Sequence, residues 1–175
     1  NVAVGAYALD ANTTAANNTA VGDQALSTNT TGTENTGLGK GALYSNSTAA
    51  YNTAVGTNAL NDNATGANNT AVGRRSLYKN LASNNTAVGY HALNANTTAT
   101  YNTAVGRSSM AANTTGGDNT AIGGLTLDAN TTGGSNTALG YNSLSANTTA
   151  SNNTAVGASA LAANTTGDQS VAVGQ

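Results

Sequence analysis

A pentapeptide of the form NTAVG returns along the whole chain, and its spacing restricts the fold more than any other feature. It begins at eleven places, which are Asn1, Asn18, Asn35, Asn52, Asn69, Asn85, Asn102, Asn119, Asn136, Asn153 and Ser170. The interval is 17 residues, except for 16 residues between Asn69 and Asn85. The 175 residues therefore hold ten complete units and part of an eleventh, with the consensus N-T-A-V-G-x-x-A-L-x-x-N-T-T-G-x-x. Positions below are numbered from the first residue of this unit.

The columns of the repeat differ in how much variation they accept. Position 5 is always Gly, position 4 is a branched aliphatic residue, position 9 is Leu except at Met110, and position 12 is always Asn. Position 3 is only ever Ala or Gly. Positions 6, 7, 10, 11 and 17 vary freely. Every unit therefore satisfies the same small set of constraints.

A unit of this length and composition predicts an all-β parallel β-solenoid with one coil per repeat. It is too short for a pair of helices, and its Thr and Val alternate with Gly and Asn, which favours short strands between turns. Equivalent residues then stack about 4.8 Å apart, and ten coils form a rod of roughly 48 Å. We place Gly22 and its equivalents at one corner and a hydrogen-bonded ladder of Asn12, Asn29 and their equivalents at another.

Alternation along the strand predicts which side chains fill the coil. We expect Val21 and Thr19 to point inward, with the position 9 Leu forming the opposite wall. The Ala between them, as in Ala20, Ala54 and Ala71, then faces outward, and its restriction to a methyl group indicates close packing against an identical chain. On this basis we expect a homo-oligomer through the Ala20/Ala54/Ala71 column. The alternative is the opposite strand phase, with Ala inside the coil.

The composition leaves little for catalysis or metal binding. The chain has no Cys, one His and seven acidic residues, with a net charge of −2 that argues against nucleic acid as a partner. The sequence has no apolar stretch long enough to predict insertion into a membrane. We therefore expect no enzyme, no cofactor, no metal site, and a single repeat domain over residues 1–175 that is a segment of a longer chain.

Several residues have the chemistry of a functional site, but we interpret them as structural. His91 lies in a variable column, and Gly37-Leu38-Gly39-Lys40-Gly41 lacks the spacing of a phosphate-binding loop. The acids Asp10, Asp23, Glu34, Asp62, Asp118, Asp128 and Asp168 are too scattered for the Asp pattern of calcium-binding β-rolls. Arg74, Arg75 and Lys79 form a basic patch that we interpret as surface charge, with a local contact site as the alternative. Tyr51, Tyr90, Tyr101 and Tyr141 have the chemistry to stack on sugars, but their irregular placement favours ordinary surface packing. The N-x-T sequons at Asn12, Asn17 and Asn29 follow from the Asn and Thr columns.

The 16-residue unit is the one irregularity. It keeps Asn80 but has Leu81-Ala82-Ser83 after it, so a residue is lost behind the Asn corner. We predict a local bulge or a missing corner over Arg74–Asn84, and no domain boundary.

The end units, Ser170-Val171-Ala172-Val173-Gly174 and Asn1-Val2-Ala3-Val4-Gly5, resemble the repeat motif of trimeric autotransporter adhesin heads. The longer unit NTAVGYHALNANTT, from Asn85 to Thr98, is similar to repeats of bacteriophage tail fibres and bacterial surface proteins. The resemblance implies a left-handed parallel β-roll, three copies of which pack side by side. The 17-residue unit is longer than the adhesin-head unit and has Thr where that motif has Val.

We therefore expect a non-enzymatic rod or head segment of an extracellular surface adhesin or phage tail fibre, which presents a multivalent binding surface to a receptor or glycan. An ice-binding solenoid is an alternative, although adjacent Thr in N-T-T point to opposite sides and form no T-x-T double rank. A self-assembling extracellular filament is a third.

Overall fold

A computed structural model of the chain, which describes residues 1–175, is a parallel β-solenoid. Each coil contributes one three-residue strand at repeat positions 2 to 4. The strands are β1 (Val2–Val4), β2 (Thr19–Val21), β3 (Thr36–Leu38), β4 (Thr53–Val55), β5 (Thr70–Val72), β6 (Thr86–Val88), β7 (Thr103–Val105), β8 (Thr120–Ile122), β9 (Thr137–Leu139), β10 (Thr154–Val156) and β11 (Val171–Val173). They pair in chain order in one 11-stranded sheet. The predicted fold class is confirmed.

Stacking is in register, so like side chains form columns. Thr19 of β2 pairs with Thr36 of β3, and the same correspondence continues through the sheet. The amide Nδ2 of Asn46 donates to Oδ1 of Asn29 in the preceding coil at 2.8 Å. This bond recurs through every step from Asn29 to Asn147. The predicted Asn ladder is confirmed over these eight coils.

The Gly column turns the chain out of each strand. These residues have φ between 123° and 142°. A Cβ on Gly22 would lie 2.6 Å from the carbonyl carbon of Gly39 in the next coil. Gly is therefore required both by the dihedral angle and by the close stacking of one backbone on the next.

Three non-glycine positions per coil also have left-handed backbone. Positions 7, 9 and 17 do so throughout, for example Gln24, Leu26 and Glu34 with φ of 59°, 51° and 58°. Backbone hydrogen bonds to the adjacent coils stabilise this conformation, such as Leu26 N to Ala42 O at 3.0 Å. The wall opposite the strand is thus made of turns whose hydrogen bonds run along the rod.

The strand phase is the reverse of the expected one. Ala20, Ala54 and Ala71 are fully buried inside the coil, and Thr19 and Val21 point outward. The column of Leu26 and its equivalents is buried as expected and packs against the Ala column. At Gly37, which replaces Ala, a Cβ would lie 3.2 Å from Ala42 O and 3.5 Å from a Leu26 methyl group. Position 3 therefore has room for a methyl group and nothing larger, and the contact through the Ala20/Ala54/Ala71 column is wrong.

The interior also has a polar part. A second Asn column, at position 1, is buried beside the Asn of position 12. In the second coil, Nδ2 of Asn18 and Nδ2 of Asn29 both donate to Gly32 O, at 2.8 and 2.9 Å. Oδ1 of Asn18 accepts the backbone N–H of Asn35 in the next coil at 2.9 Å. Two amides thus bridge each of coils one to nine internally, which satisfies groups that would otherwise be costly to bury. In the tenth coil, Nδ2 of Asn153 is buried without a partner.

The shortened coil loses part of one corner, as predicted. Nδ2 of Asn80 donates to Ala82 O, two residues later, at 2.6 Å, whereas other coils make this bond to the residue three positions later. The side chain of Leu81 is 47% exposed. Pairing of β5 with β6 keeps Thr70 opposite Thr86. The deletion is therefore absorbed within the corner, and the sheet continues unbroken.

Candidate interaction surfaces

The outer face of the sheet, which we call the strand face, is formed by positions 2 and 4. Thr occupies position 2 from β2 to β10, and Val, Leu or Ile occupies position 4 of all eleven strands. Since the only inward residue of each strand is the small residue of position 3, both neighbours must point away from the coil. The result is a column of hydroxyl-bearing side chains beside a column of aliphatic ones.

The aliphatic column is substantially exposed. Exposure is 57% at Val4, 46% at Leu38, 40% at Ile122 and 44% at Leu139. The other strands of the sheet's middle leave their Val half-buried. With strands about 4.8 Å apart, the column extends over roughly 48 Å. A continuous apolar stripe of this length is unusual on a chain that works alone in water, and such stripes mark interaction sites.

A second surface, which we call the variable face, is formed by positions 6, 7, 10 and 11. Leu of position 9 points inward from this segment onto the strand's Ala, so the segment lies on the wall opposite the sheet. All five basic residues of the chain lie here, namely Lys40, Arg74, Arg75, Lys79 and Arg107. They occur only in coils three to seven. The variation between units is therefore concentrated in one region of one face.

Aromatic and cationic side chains contact one another in the centre of the variable face. The rings of Tyr90 and His91 stack with their centroids 4.0 Å apart. The guanidinium carbon of Arg74 lies 5.7 Å from the Tyr90 ring centroid, and that of Arg75 lies 5.3 Å from the Tyr78 ring centroid. Both distances are within the range of cation–π attraction. The sequence patch of Arg74, Arg75 and Lys79 is thus part of a larger aromatic and basic cluster.

Burial and nearby charge alter the titration of this region. Burial lowers the pKa of His91, and the positive charges of Arg75 and Arg74 lower it further. The Nε2 atom of His91 and the Nε atom of Arg75 are both buried without a hydrogen-bond partner. Burial raises the pKa of Asp62 against the opposing effect of Lys79. His91 is therefore neutral near physiological pH, and the positive charge of the cluster comes from Arg and Lys.

One cavity, of about 240 Å³, opens on the variable face beside this cluster. It forms at Gly41, where a residue without a side chain occupies position 7 between Gln24 and Asn58 of the adjacent coils. Tyr44 and Tyr78 line it from coils that lie two steps apart. A missing side chain in one coil thus creates the concavity.

Polar groups surround the same cavity. Asn61, between the two tyrosines, donates from Nδ2 to Gly41 O at 2.9 Å. Lys40 lies at the rim, with its Nζ 3.0 Å from the Asp23 carboxylate. The amides of Gln24 and Asn58 add both donors and acceptors. The cavity therefore combines aromatic side chains with amides and one ion pair.

The remaining residues considered from the sequence are not brought together. No group of three or more His, Asp or Glu side chains has the arrangement to hold a metal ion. Burial raises the pKa of Asp128, and hydrogen bonds from backbone N–H groups partly offset this increase. The three Gly residues of Gly37-Leu38-Gly39-Lys40-Gly41 occupy positions 3, 5 and 7 of the repeat, so each has a separate place in the coil. Asn29 is fully buried and cannot accept a glycan, whereas Asn17 is exposed.

Comparison with known proteins adds no relative: no family model, no curated protein and no solved structure matches the chain. The chain also has no helix that is long and apolar enough to cross a membrane. The two surfaces are therefore the basis for a proposed function. Sequence reasoning missed the variable face, although the restriction of the basic residues to three variable columns, positions 6, 7 and 11, was a signal for it.

Proposed function

We propose that the chain is a non-enzymatic rod segment of an extracellular surface adhesin or phage tail fibre. It holds a binding part away from its carrier and presents repeated surface along its length. Backbone hydrogen bonds that run from coil to coil support stiffness, since each coil is tied to both neighbours at several positions. Its extracellular placement and its assembly into trimers follow from the resemblance of the repeat to adhesin heads.

The exposed aliphatic column of the strand face is the observation that carries the proposal. Three copies packed side by side through positions 2 and 4 would remove this stripe from water, at roughly 25 cal/mol for each Å² of apolar surface. The contact replaces the Ala20/Ala54/Ala71 column, which lies inside the coil. Because nearly every coil places Thr at position 2 and a branched aliphatic residue at position 4, copies packed side by side can repeat the same contact along the rod.

Light scattering coupled to size-exclusion chromatography tests the assembly. The proposal expects three times the 17.0 kDa of one chain. Substitution of Val72, Val88 and Val105 by Lys is expected to give single chains, because each charge would be buried at the contact. Thr98→Lys, on an exposed column elsewhere, is the control and should leave the mass unchanged. A single-chain mass for the unaltered protein contradicts the assembly.

Ice binding is the second candidate, and the position 2 Thr column favours it. Nine Thr side chains repeat along the sheet at the strand spacing, beside a parallel aliphatic column. Thr in this arrangement offers ordered hydroxyl and methyl groups to a water lattice. Thermal hysteresis measured with sub-millimolar protein distinguishes the two candidates. A gap between the freezing and melting points that Thr103→Lys abolishes supports ice binding. If the unaltered protein shows no such gap, ice binding is excluded and only the rod proposal is left.

A further inference from the structure

We propose that the variable face binds an acidic polysaccharide, with one sugar unit in the cavity between Tyr44 and Tyr78 and its neighbours along the basic residues. The inference rests on the proposed function, since it names the ligand class that the rod would present itself to. It depends on a different surface from the assembly contact, because the strand face lies on the opposite wall.

The cavity has the chemistry of a sugar site. A pyranose ring has apolar C–H faces and a rim of hydroxyl groups, so it needs flat aromatic surface together with amides that both donate and accept. Tyr44 and Tyr78 supply the first, and Gln24, Asn58 and Asn61 supply the second. At about 240 Å³ the cavity suits one sugar unit and is smaller than a typical site for a drug-sized ligand.

The charge around the cavity selects an acidic chain. The whole protein has a net charge of −2, but the stretch of the variable face from Asp23 to Arg107 carries all five basic residues against two carboxylates. Asp23 is paired with Lys40, and Arg74 and Arg75 are held over tyrosine rings. The Lys40 side chain stays 66% exposed in its pair, so a ligand can reach it. Carboxylate or sulfate groups on the sugar chain would meet them.

The length of this stretch favours a polymer over a single small anion. Asp23 lies in the second coil and Arg107 in the seventh, so the stretch covers about 24 Å along the rod. An extended saccharide laid parallel to the rod axis contacts several coils. Nucleic acid is the competing polyanion, and a deoxyoligonucleotide is therefore included among the probes.

Binding to defined oligosaccharides, measured by isothermal titration calorimetry, tests the proposal. The probes are a hexauronate, a sulfated hexasaccharide, neutral maltohexaose and a single-stranded deoxyoligonucleotide. We expect at least one acidic saccharide to bind about tenfold more tightly than maltohexaose, with an affinity that falls as salt increases. The two acidic probes distinguish carboxylate from sulfate as the recognised group. Equal affinity for neutral and acidic sugars, no binding to either, or tighter binding of the oligonucleotide would overturn it.

Three variants localise the site. Tyr78→Ala removes one aromatic wall, Arg107→Gln removes a cation, and Gly41→Asn fills the cavity. The backbone suits Asn, since Asn58 and Asn142 occupy the same column with φ of 56° and 58°. The new Cβ would meet Oδ1 of Asn58, so the side chain of Asn58 must rotate away to admit it. Each variant should weaken acidic-saccharide binding about tenfold or more, while Arg107→Gln should also reduce the salt dependence. Tyr141→Ala, on the same face two coils beyond Arg107, is the control and should bind normally.

The mass measurement on the same samples separates this inference from the proposed assembly. Saccharide binding by a single-chain protein contradicts the assembly alone. A trimer that binds no acidic saccharide contradicts this inference alone. Circular dichroism confirms that each variant keeps its fold, so a loss of binding in Gly41→Asn reports on the cavity.

Discussion

Substitution of Asn113 by Ala is expected to destabilise the solenoid by about 3–5 kcal/mol. The Asn113 side chain is fully buried and makes three hydrogen bonds. Its Nδ2 donates to Asn96 Oδ1 at 3.1 Å and to Gly116 O at 2.9 Å, and its Oδ1 accepts from Nδ2 of Asn130 at 2.9 Å. Its removal therefore interrupts the amide ladder in the middle of the rod.

The magnitude follows from what each partner loses. Asn96 Oδ1 is left buried without a donor, which costs about 1–3 kcal/mol. Gly116 O keeps a second donor, Nδ2 of Asn102 at 3.0 Å, so this loss is close to the net value of one hydrogen bond, about 1 kcal/mol. Asn130 keeps its bond to its own coil at 2.9 Å and likewise loses about 1 kcal/mol.

Guanidinium denaturation followed by circular dichroism measures the effect. Thr115→Ala is the matched control: its side chain is exposed two residues away, and its change should stay within about 0.5 kcal/mol. Hydrogen exchange should show faster opening in the coils on both sides of the substitution, since each coil contacts only its neighbours. A loss below about 1 kcal/mol for Asn113→Ala would refute the view that the amide ladder stabilises the rod.

Asn113→Asp adds a pH dependence with a defined sign. The new carboxylate would face two acceptors, Asn96 Oδ1 and Gly116 O, so burial and the missing donor raise the pKa of this carboxyl in the folded state. The protonated form is therefore favoured on folding. Stability should be greatest below the unfolded pKa of about 3.9 and fall as pH rises through the folded value. A stability that does not change with pH, or that increases with it, would contradict the placement.

Three further experiments test other columns. Ala104→Leu should lower the free energy of unfolding by about 1–3 kcal/mol, because the inward position has room only for a methyl group. Val105→Leu, on the strand face, should change it by less than about 0.5 kcal/mol. Equal effects of the two substitutions would contradict the strand phase. Gly22→Ala should cost about 3 kcal/mol or more in denaturation experiments, since its Cβ would meet the next coil's backbone at 2.6 Å, and a neutral result would be incompatible with this stacking. In an NMR titration, the pKa of His91 should lie below that of an unfolded His, and Arg75→Gln should raise it, whereas an unchanged value would exclude the charge effect.

The repeat pattern alone was enough to predict the period, the coil and the residues that every turn requires. A column of invariant Gly predicts a corner, and Gly22 has the left-handed backbone that a corner needs. A column of invariant Asn predicts a ladder, which the bond from Asn46 to Asn29 confirms. Leu of position 9 could also be assigned to the interior, because a large aliphatic side chain that hardly varies is best explained by burial.

Which side of the strand faces the interior could be assigned only from the folded coil. A three-residue strand of the pattern T-A-V presents either one small side chain or two branched ones to the coil, and alternation alone accepts both. The deciding factor is the space inside the coil. Leu26 and the buried amides of Asn18 and Asn29 fill it, so the strand opposite can contribute only Ala20.

The second Asn column and the cavity escaped prediction for a related reason. From the sequence, Asn18 is interpreted as a turn residue. In the structure its amide donates to the carbonyl group of Gly32, which is 14 residues later in the chain but lies across the coil. The cavity at Gly41 likewise depends on side chains from neighbouring coils, Tyr44 and Tyr78 among them. A repeat shows what every coil must share. It does not show what two coils form together where they differ, because that depends on distances across the stack.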